Sequence, residues 1–139
     1  MKTNINAQKL AQLLKQYPGI IAAYLIGSVA EGRERQDSDL DIALLVEKNF
    51  DLNLFGSLYQ KINSLVGHPN LDLRIVIPEK TDPLFLFQLL GGKLLYARNQ
   101  KELISLEVKI MKLYYDSQHL RNIFHYYLNR RLEGSTYGR

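Results

Sequence analysis

A chain of 139 residues is the size of one domain and can bury a sizeable core without covalent staples. It contains no cysteine, which excludes disulfides and thiolate metal ligands; its first residues lack a basic-then-apolar signal pattern and no apolar run approaches the ~18 residues of a membrane span, so a soluble, cytoplasmic protein is expected. The formal charge is +4, and the excess lies in Arg98 to Arg139, where eight Lys or Arg face four Asp or Glu while the preceding residues balance at ten each, a distribution that suits an acidic partner, a polyanion or simply a well-solvated helix.

In chain order, Leu10, Leu13, Leu14 and Tyr17 recur at helical spacing and predict a helix over Ala7 to Tyr17, stopped by Pro18-Gly19. Ile20 to Ile26 is a nearly continuous apolar run ending at Gly27, which reads as a buried strand opening into a turn. Ser28 to Ser38 reads as a turn plus a short helix. Asp39 to Val46 is the second predicted strand, and Asn53 to Val66 the second long helix, with Phe55, Leu58, Ile62, Leu65 and Val66 on one face. Gly67-His68-Pro69-Asn70 ends it. Leu71 to Ile77 alternates, with Leu71, Leu73, Ile75 and Ile77 on one side and Asp72, Arg74 and Val76 on the other. Asp82-Pro83 starts a helix that Gly91-Gly92 stops, and a short strand follows at Lys93 to Ala97. From Lys101 to about Leu132 neither proline nor glycine occurs, and Leu103, Leu106, Ile110, Leu113, Leu120, Ile123 and Tyr127 keep an apolar stripe, predicting one long helix or two abutting ones. Residues 1–132 are expected to form one domain and residues 133–139 a frayed tail.

Three features fall on consecutive strands: Gly27-Ser28 after the first, Asp39-Leu40-Asp41 at the start of the second, and Asp72 in the third. Strand alternation turns Asp39 and Asp41 to one face and Leu40 and Ile42 to the other. Paired carboxylates repel, and a hard divalent cation such as Mg²⁺ relieves the repulsion while also holding substrate phosphates. Asp72, pointing away from the apolar face of its strand, can complete the cluster. A strand-to-helix turn such as Gly27-Ser28 offers free backbone N–H groups to a phosphate, and the Ser28 hydroxyl can donate to a non-bridging oxygen. Aspartate is disfavoured within strands, so two acids at the start of one strand are poorly explained by packing alone.

Gly27-Ser28, ten residues, then Asp39-Leu40-Asp41 with Asp72 downstream resembles the signature of the DNA polymerase β-like nucleotidyltransferase superfamily. Nearly the whole chain, through Gly92-Lys93-Leu94-Leu95-Tyr96 and the long basic helix, resembles the minimal nucleotidyltransferase (MNT, MntA) antitoxins that pair with HEPN-domain ribonuclease toxins in type VII-like systems. That resemblance implies an α/β (α+β) nucleotidyltransferase fold, a mixed sheet of about four strands flanked by helices with a long C-terminal helix. It implies ATP and Mg²⁺ as cofactors, transfer of AMP to a tyrosine hydroxyl of the HEPN toxin, and assembly with that toxin into a hetero-oligomer. Ser28, Asp39, Asp41 and Asp72 match the family's functional positions. Many relatives carry a basic residue shortly after the serine; here the chain reads Val29-Ala30-Glu31, and the contact to phosphate falls to Arg33 or Arg35.

The expected mechanism has Asp39 and Asp41 bridging two Mg²⁺ ions, Asp72 holding the catalytic one, and Gly27 and Ser28 fixing the phosphates for in-line attack. The long helix, with Tyr114, Tyr115, Tyr126, Tyr127, His125, Arg121, Arg130 and Arg131, is either a partner surface or a mixture of core tyrosines and solvated arginines. His68, His119 and His125 read as surface or packing residues. A small-molecule acceptor, as in aminoglycoside nucleotidyltransferases, and a non-catalytic antitoxin that acts by binding alone are the alternatives. No nucleic-acid recognition motif is present, and neither nucleic acid nor membrane is expected as a partner.

Overall fold

The computed structural model describes residues 5–27 and 39–137. The expected turn and short helix over Ser28 to Ser38, with Ser28, Arg33 and Arg35, lie outside the described residues. Helix α1 (Ala7–Leu14) is capped by the Asn6 side chain, which accepts from the Lys9 N–H, and strand β1 (Ile20–Ile26) follows. The helix stops before the expected Tyr17, because Pro18 disfavours a helical conformation at the residue before it. Tyr17 still packs on the core. Strand β2 (Leu40–Val46), helix α2 (Phe55–Val66) and strand β3 (Leu71–Val76) make a crossover unit in which β2 and β3 pair in parallel. Helix α3 (Pro83–Leu90) begins at Asp82, whose carboxylate accepts from the Leu84 N–H, and strand β4 (Lys93–Ala97) leads into helix α4 (Gln100–Tyr137).

The four strands form one mixed sheet in the order β3-β2-β1-β4, with β1 antiparallel to both β2 and β4. Both faces are covered. Leu10 and Leu14 of α1 and Leu58 and Ile62 of α2 pack with Leu40, Ile42, Leu44, Leu71 and Leu73 on one face. Leu86 and Leu89 of α3 and Leu103 and Ile110 of α4 pack with Tyr24, Ala43, Leu45 and Val76 on the other. Burial on two sides explains why β1 and β2 read as continuous apolar runs while edge strand β3 alternates. A register shift between Ile20 and Ala22 lets the successive residues Ile21 and Ala22 both reach the α3/α4 face.

Helix α4 is one uninterrupted element, but only its first part is covered. Leu103 and Ile110 are buried and the Tyr24 hydroxyl donates to Glu107 Oε2 at 2.9 Å, whereas Leu113, Leu120, Ile123 and Tyr127 of the expected core stripe are exposed. The sheet face is too short to cover the rest of the helix. The helix also runs past Leu132, where fraying was expected, to Tyr137; a single glycine inside a helix costs only about 1 kcal/mol relative to alanine and does not break it. Phe55, expected on the inner face of α2, is likewise exposed, because α2 is preceded by a 3₁₀ turn at Leu52–Leu54 that carries it clear of the sheet.

Arg98, just after β4, ties four segments together. Its guanidinium donates to Glu102 at 2.7 Å, to Glu47 at 2.7 Å and to the Pro18 carbonyl. Arg98→Ala should destabilise the protein by about 1–2 kcal/mol, a moderate value because the partners are part-exposed. Arg98→Lys should recover little, since an ammonium cannot span the same fork. The hydrogen bond from Arg98 is the main reason that the Glu102 carboxyl lies below its ordinary value of 4.5. The pair's contribution is therefore complete above about pH 4.5 and is lost as pH falls through the lowered value. Urea denaturation between pH 3 and pH 7 checks both statements: the Ala variant should be less stable at neutral pH and should lack that part of the acid-side loss.

Candidate active site

The pairing register places three residues in one row across the sheet. Ile26, the last residue of β1, is opposite Asp41 of β2, and Asp41 is opposite Asp72 of β3. Leu40 and Ile42 pack with α1 and α2, so alternation turns Asp41 to the α3/α4 side; Leu71 and Leu73 do the same for Asp72. The two carboxylates thus share a face at the end of the sheet, beyond Ala43, Leu45 and Val76, which α3 and α4 cover.

Their electrostatics follow from that placement. The Asp41 carboxyl is held above the ordinary aspartate value, first by burial, then by its hydrogen bond with Asp72 and by the charge of Asp72; Asp39 adds to the effect and Arg74 opposes it. Arg74 lies two residues beyond Asp72 on the same strand face, and its Nη2 and Nε both approach Asp72 Oδ2 at 3.4 Å. This cation was not expected in the site, although its i+2 spacing from Asp72 is visible in the sequence. Asp39 is exposed and precedes β2, which starts at Leu40. Strand alternation therefore does not orient its side chain as expected; it joins the group through its charge.

Gly27 completes the near wall. Its φ is +81°, and a Cβ built there would lie 2.6 Å from Asp41 Oδ2. Only glycine combines that backbone with that closeness, so the first residue of the turn after β1 is fixed by the second strand's carboxylate. Behind it is a cleft of about 400 Å³ lined by Ile26, Gly27, Phe85, Gln88, Leu89, Gly91 and Gly92. Gly92 is required there, because a Cβ would meet the Leu25 carbonyl at 2.6 Å and Ile26 Cγ2 at 2.9 Å. The local sequence pattern marked Gly91-Gly92 as a helix stop and the resemblance included Gly92, but neither placed it in the cleft, and Phe85 and Gln88 carried no local signal.

The donor set fits a hard divalent cation: carboxylate oxygens, a raised carboxyl that a cation would relieve, and a glycine that keeps space open beside Asp41. Among the described residues, however, no three acidic or imidazole groups converge into a preformed metal cage. Of the three expected aspartates, Asp41 and Asp72 lie opposite each other across the sheet, while Asp39 precedes β2. His68 Nδ1 accepts the Asn70 N–H at 3.0 Å and belongs to its loop. On α4, Tyr114 stacks on Phe87 with ring centroids 4.0 Å apart, while Tyr126 and Tyr127 are exposed. Among the described residues no helix is long and apolar enough to cross a membrane.

The family model for polymerase beta nucleotidyltransferases matches residues 8–101. Several solved structures are similar over nearly the whole chain. A mutant of the toxin–antitoxin MntA–HpeT is 25% identical with a TM-score of 0.66, covering 92% of this chain and 99% of that one. A toxin–antitoxin structure with AMP-PNP is 26% identical, also with a TM-score of 0.66 and the same coverage. A tri-AMPylated Shewanella oneidensis HEPN toxin in complex with MNT antitoxin is 25% identical with a TM-score of 0.60, covering 91% of this chain and 96% of that one. No curated protein matches.

Proposed function

The chain belongs to the polymerase beta nucleotidyltransferase family, and from that premise we propose that it is the antitoxin of a HEPN/MNT toxin–antitoxin pair, a Mg²⁺-dependent enzyme that transfers AMP from ATP to a tyrosine hydroxyl of its HEPN ribonuclease partner. The observation that carries the transferase reading is the Asp41–Asp72 pair facing Gly27 at the open end of the sheet. A pure binder gains nothing from two repelling acids beside an obligatory glycine. The partner and the nucleotide are supported by the relatives, which were solved with HEPN toxin, AMP-PNP or an AMPylated toxin.

In this reading Asp39, Asp41 and Asp72 would hold Mg²⁺, two ions in all, which would supply charge neutralisation for the phosphates and a lowered pKa for the attacking hydroxyl. Gly27 lets the triphosphate approach the backbone, and Ser28 with Arg33 or Arg35 contacts its oxygens. Phe85 and Gln88 line the cleft with Gly27, and in this reading they would face the nucleotide. Arg74 holds Asp72 in orientation. The tyrosine O–H bond breaks with its proton passing to solvent, the oxygen bonds to the α-phosphorus, and the bond from that phosphorus to pyrophosphate breaks in line with it, pyrophosphate leaving.

The test is incubation of the purified chain with Mg²⁺ and each labelled nucleoside triphosphate, with and without a candidate HEPN protein from the same genome, followed by intact-mass analysis. A gain of one or more AMP units on the HEPN protein, from ATP only, is the expected result. A tight complex with no mass gain would overturn the enzymatic reading in favour of inhibition by contact.

A further inference from the structure

Strand β3 puts Arg74 two residues beyond Asp72 on the same face, opposite Ala43 of β2. Ala43 is buried and offers a guanidinium no partner, and the Arg74 side chain reaches back along the strand toward the open end of the sheet, where Nε and Nη2 both approach Asp72 Oδ2 at 3.4 Å. Among the described residues no other carboxylate forms an ion pair with it. Its charge nevertheless reaches further than Asp72, since it is the cation that opposes the raised Asp41 carboxyl.

As an orienting contact the pair is loose. Two donors share one oxygen at the long end of hydrogen-bond distance, whereas a guanidinium that locks a carboxylate meets both of its oxygens at about 2.8 Å. The Arg74 side chain is 51% exposed and that of Asp72 43%, so the pair adds little to stability. Charge, by contrast, acts without a fixed geometry. Asp39, Asp41 and Asp72 together attract a cation arriving at the open end, and Arg74 beside them removes part of that attraction. For an anion arriving at the same place the sign is reversed, and the guanidinium has further N–H donors to offer a phosphate oxygen.

We propose that Arg74 makes metal binding depend on nucleotide: its positive charge beside Asp72 weakens the site for a free divalent cation and strengthens it for the same cation carried by a nucleoside triphosphate. This rests on the metal and nucleotide assignment made above. Arg74 is then a specificity-determining residue that acts by charge, and it discriminates between two forms of one cation that the aspartates alone would both attract.

The test compares the wild type with Arg74→Gln and Arg74→Lys, without any acceptor protein, so that binding is read and not transfer. Mn²⁺ alone is followed by the paramagnetic resonance of the free ion, and ATP in saturating Mg²⁺ by titration calorimetry. Arg74→Gln should bind Mn²⁺ about fivefold tighter and Mg²⁺–ATP about fivefold weaker, the scale of one unit charge several ångströms from a divalent ion in a hydrated, salt-screened site. Arg74→Lys keeps the charge and loses the fork, and should stay near the wild type in both titrations. The melting temperature of the Gln variant should be nearly unchanged, because the pair it loses is half exposed. Any pattern other than shifts of opposite sign would overturn the proposal; weaker binding of both ligands, in particular, is what the loss of an orienting contact to Asp72 produces. A Lys variant that follows the Gln variant would overturn it too, by assigning the effect to geometry. Asp41→Asn must lose the Mn²⁺ binding that is compared, and an ion it retained would lie elsewhere and defeat the assignment. A wild type that binds no Mg²⁺–ATP would refute the nucleotidyltransferase reading and this proposal with it, whereas a wild type that binds it beside a Gln variant of equal affinities refutes the proposal alone.

Discussion

Asp41→Asn is expected to abolish nucleotide transfer and at the same time to raise the melting temperature. In the proposed reading Asp41 would hold a Mg²⁺ ion, and its loss would remove several kcal/mol of transition-state stabilisation, a rate decrease of about 10³-fold or more. The gain in stability has a separate origin. The Asp41 carboxyl is raised above 3.8 in the folded chain by burial and by Asp72. Between 3.8 and its raised value the folded state therefore binds more protons than the unfolded one, so stability falls as pH rises through that window and the deficit persists at neutral pH. An amide has no charge to desolvate and none to oppose Asp72, so the melting temperature should rise. Added Mg²⁺ should stabilise the wild-type protein by binding only its folded form, and should do little for the variant. Thermal melts with and without Mg²⁺, beside a transfer assay, check all of this. A variant that is inactive and also less stable would show Asp41 to be a structural residue.

Gly27→Ala should damage both activity and stability. A left-handed backbone at a residue with a Cβ costs about 1–2 kcal/mol. The methyl would also fall 2.6 Å from Asp41 Oδ2, so either β2 or the carboxylate must shift. A displacement on the order of 1 Å at a reacting centre costs about 10²-fold in rate, and we expect a loss of that size in kcat/KM with a melting temperature lower by several degrees. Gly56→Ala, inside α2 where an added Cβ meets nothing within 4 Å, is the control and should leave transfer unchanged while holding or raising the melting temperature, because alanine is the better helix former. If both variants behaved alike, the contact between the turn and Asp41 would not matter.

Much of this was legible in the sequence because it is local. Period-two alternation in Leu71 to Val76 put Asp72 opposite the apolar face. Asp82-Pro83 marked a helix start, Gly67 and Gly91 marked helix ends, and the apolar run Ile20 to Ile26 had to be a strand closed by a glycine. Each of these depends on a residue and its neighbours within a turn or a pleat. The same local physics drew attention to Gly27, Asp41 and Asp72 before any pairing was known.

What the tertiary structure alone decided is what depends on residues distant in sequence. Alternation says which way Asp41 and Asp72 point, but only the parallel register of β2 and β3, fixed by the α2 crossover, sets them opposite each other and beside Ile26. Arg98 shows no periodic or motif signal, and its role appears only when the ends of β1, β2 and β4 meet. The cleft behind Gly27 exists because α3 brings Phe85 and Gln88 against β1, from which they are far removed along the chain. Along α4 the sequence repeats one apolar pattern throughout, so nothing local separates Ile110, which is buried, from Leu120, which is not. That boundary is set by how far the sheet extends beneath the helix, a property of the assembled fold.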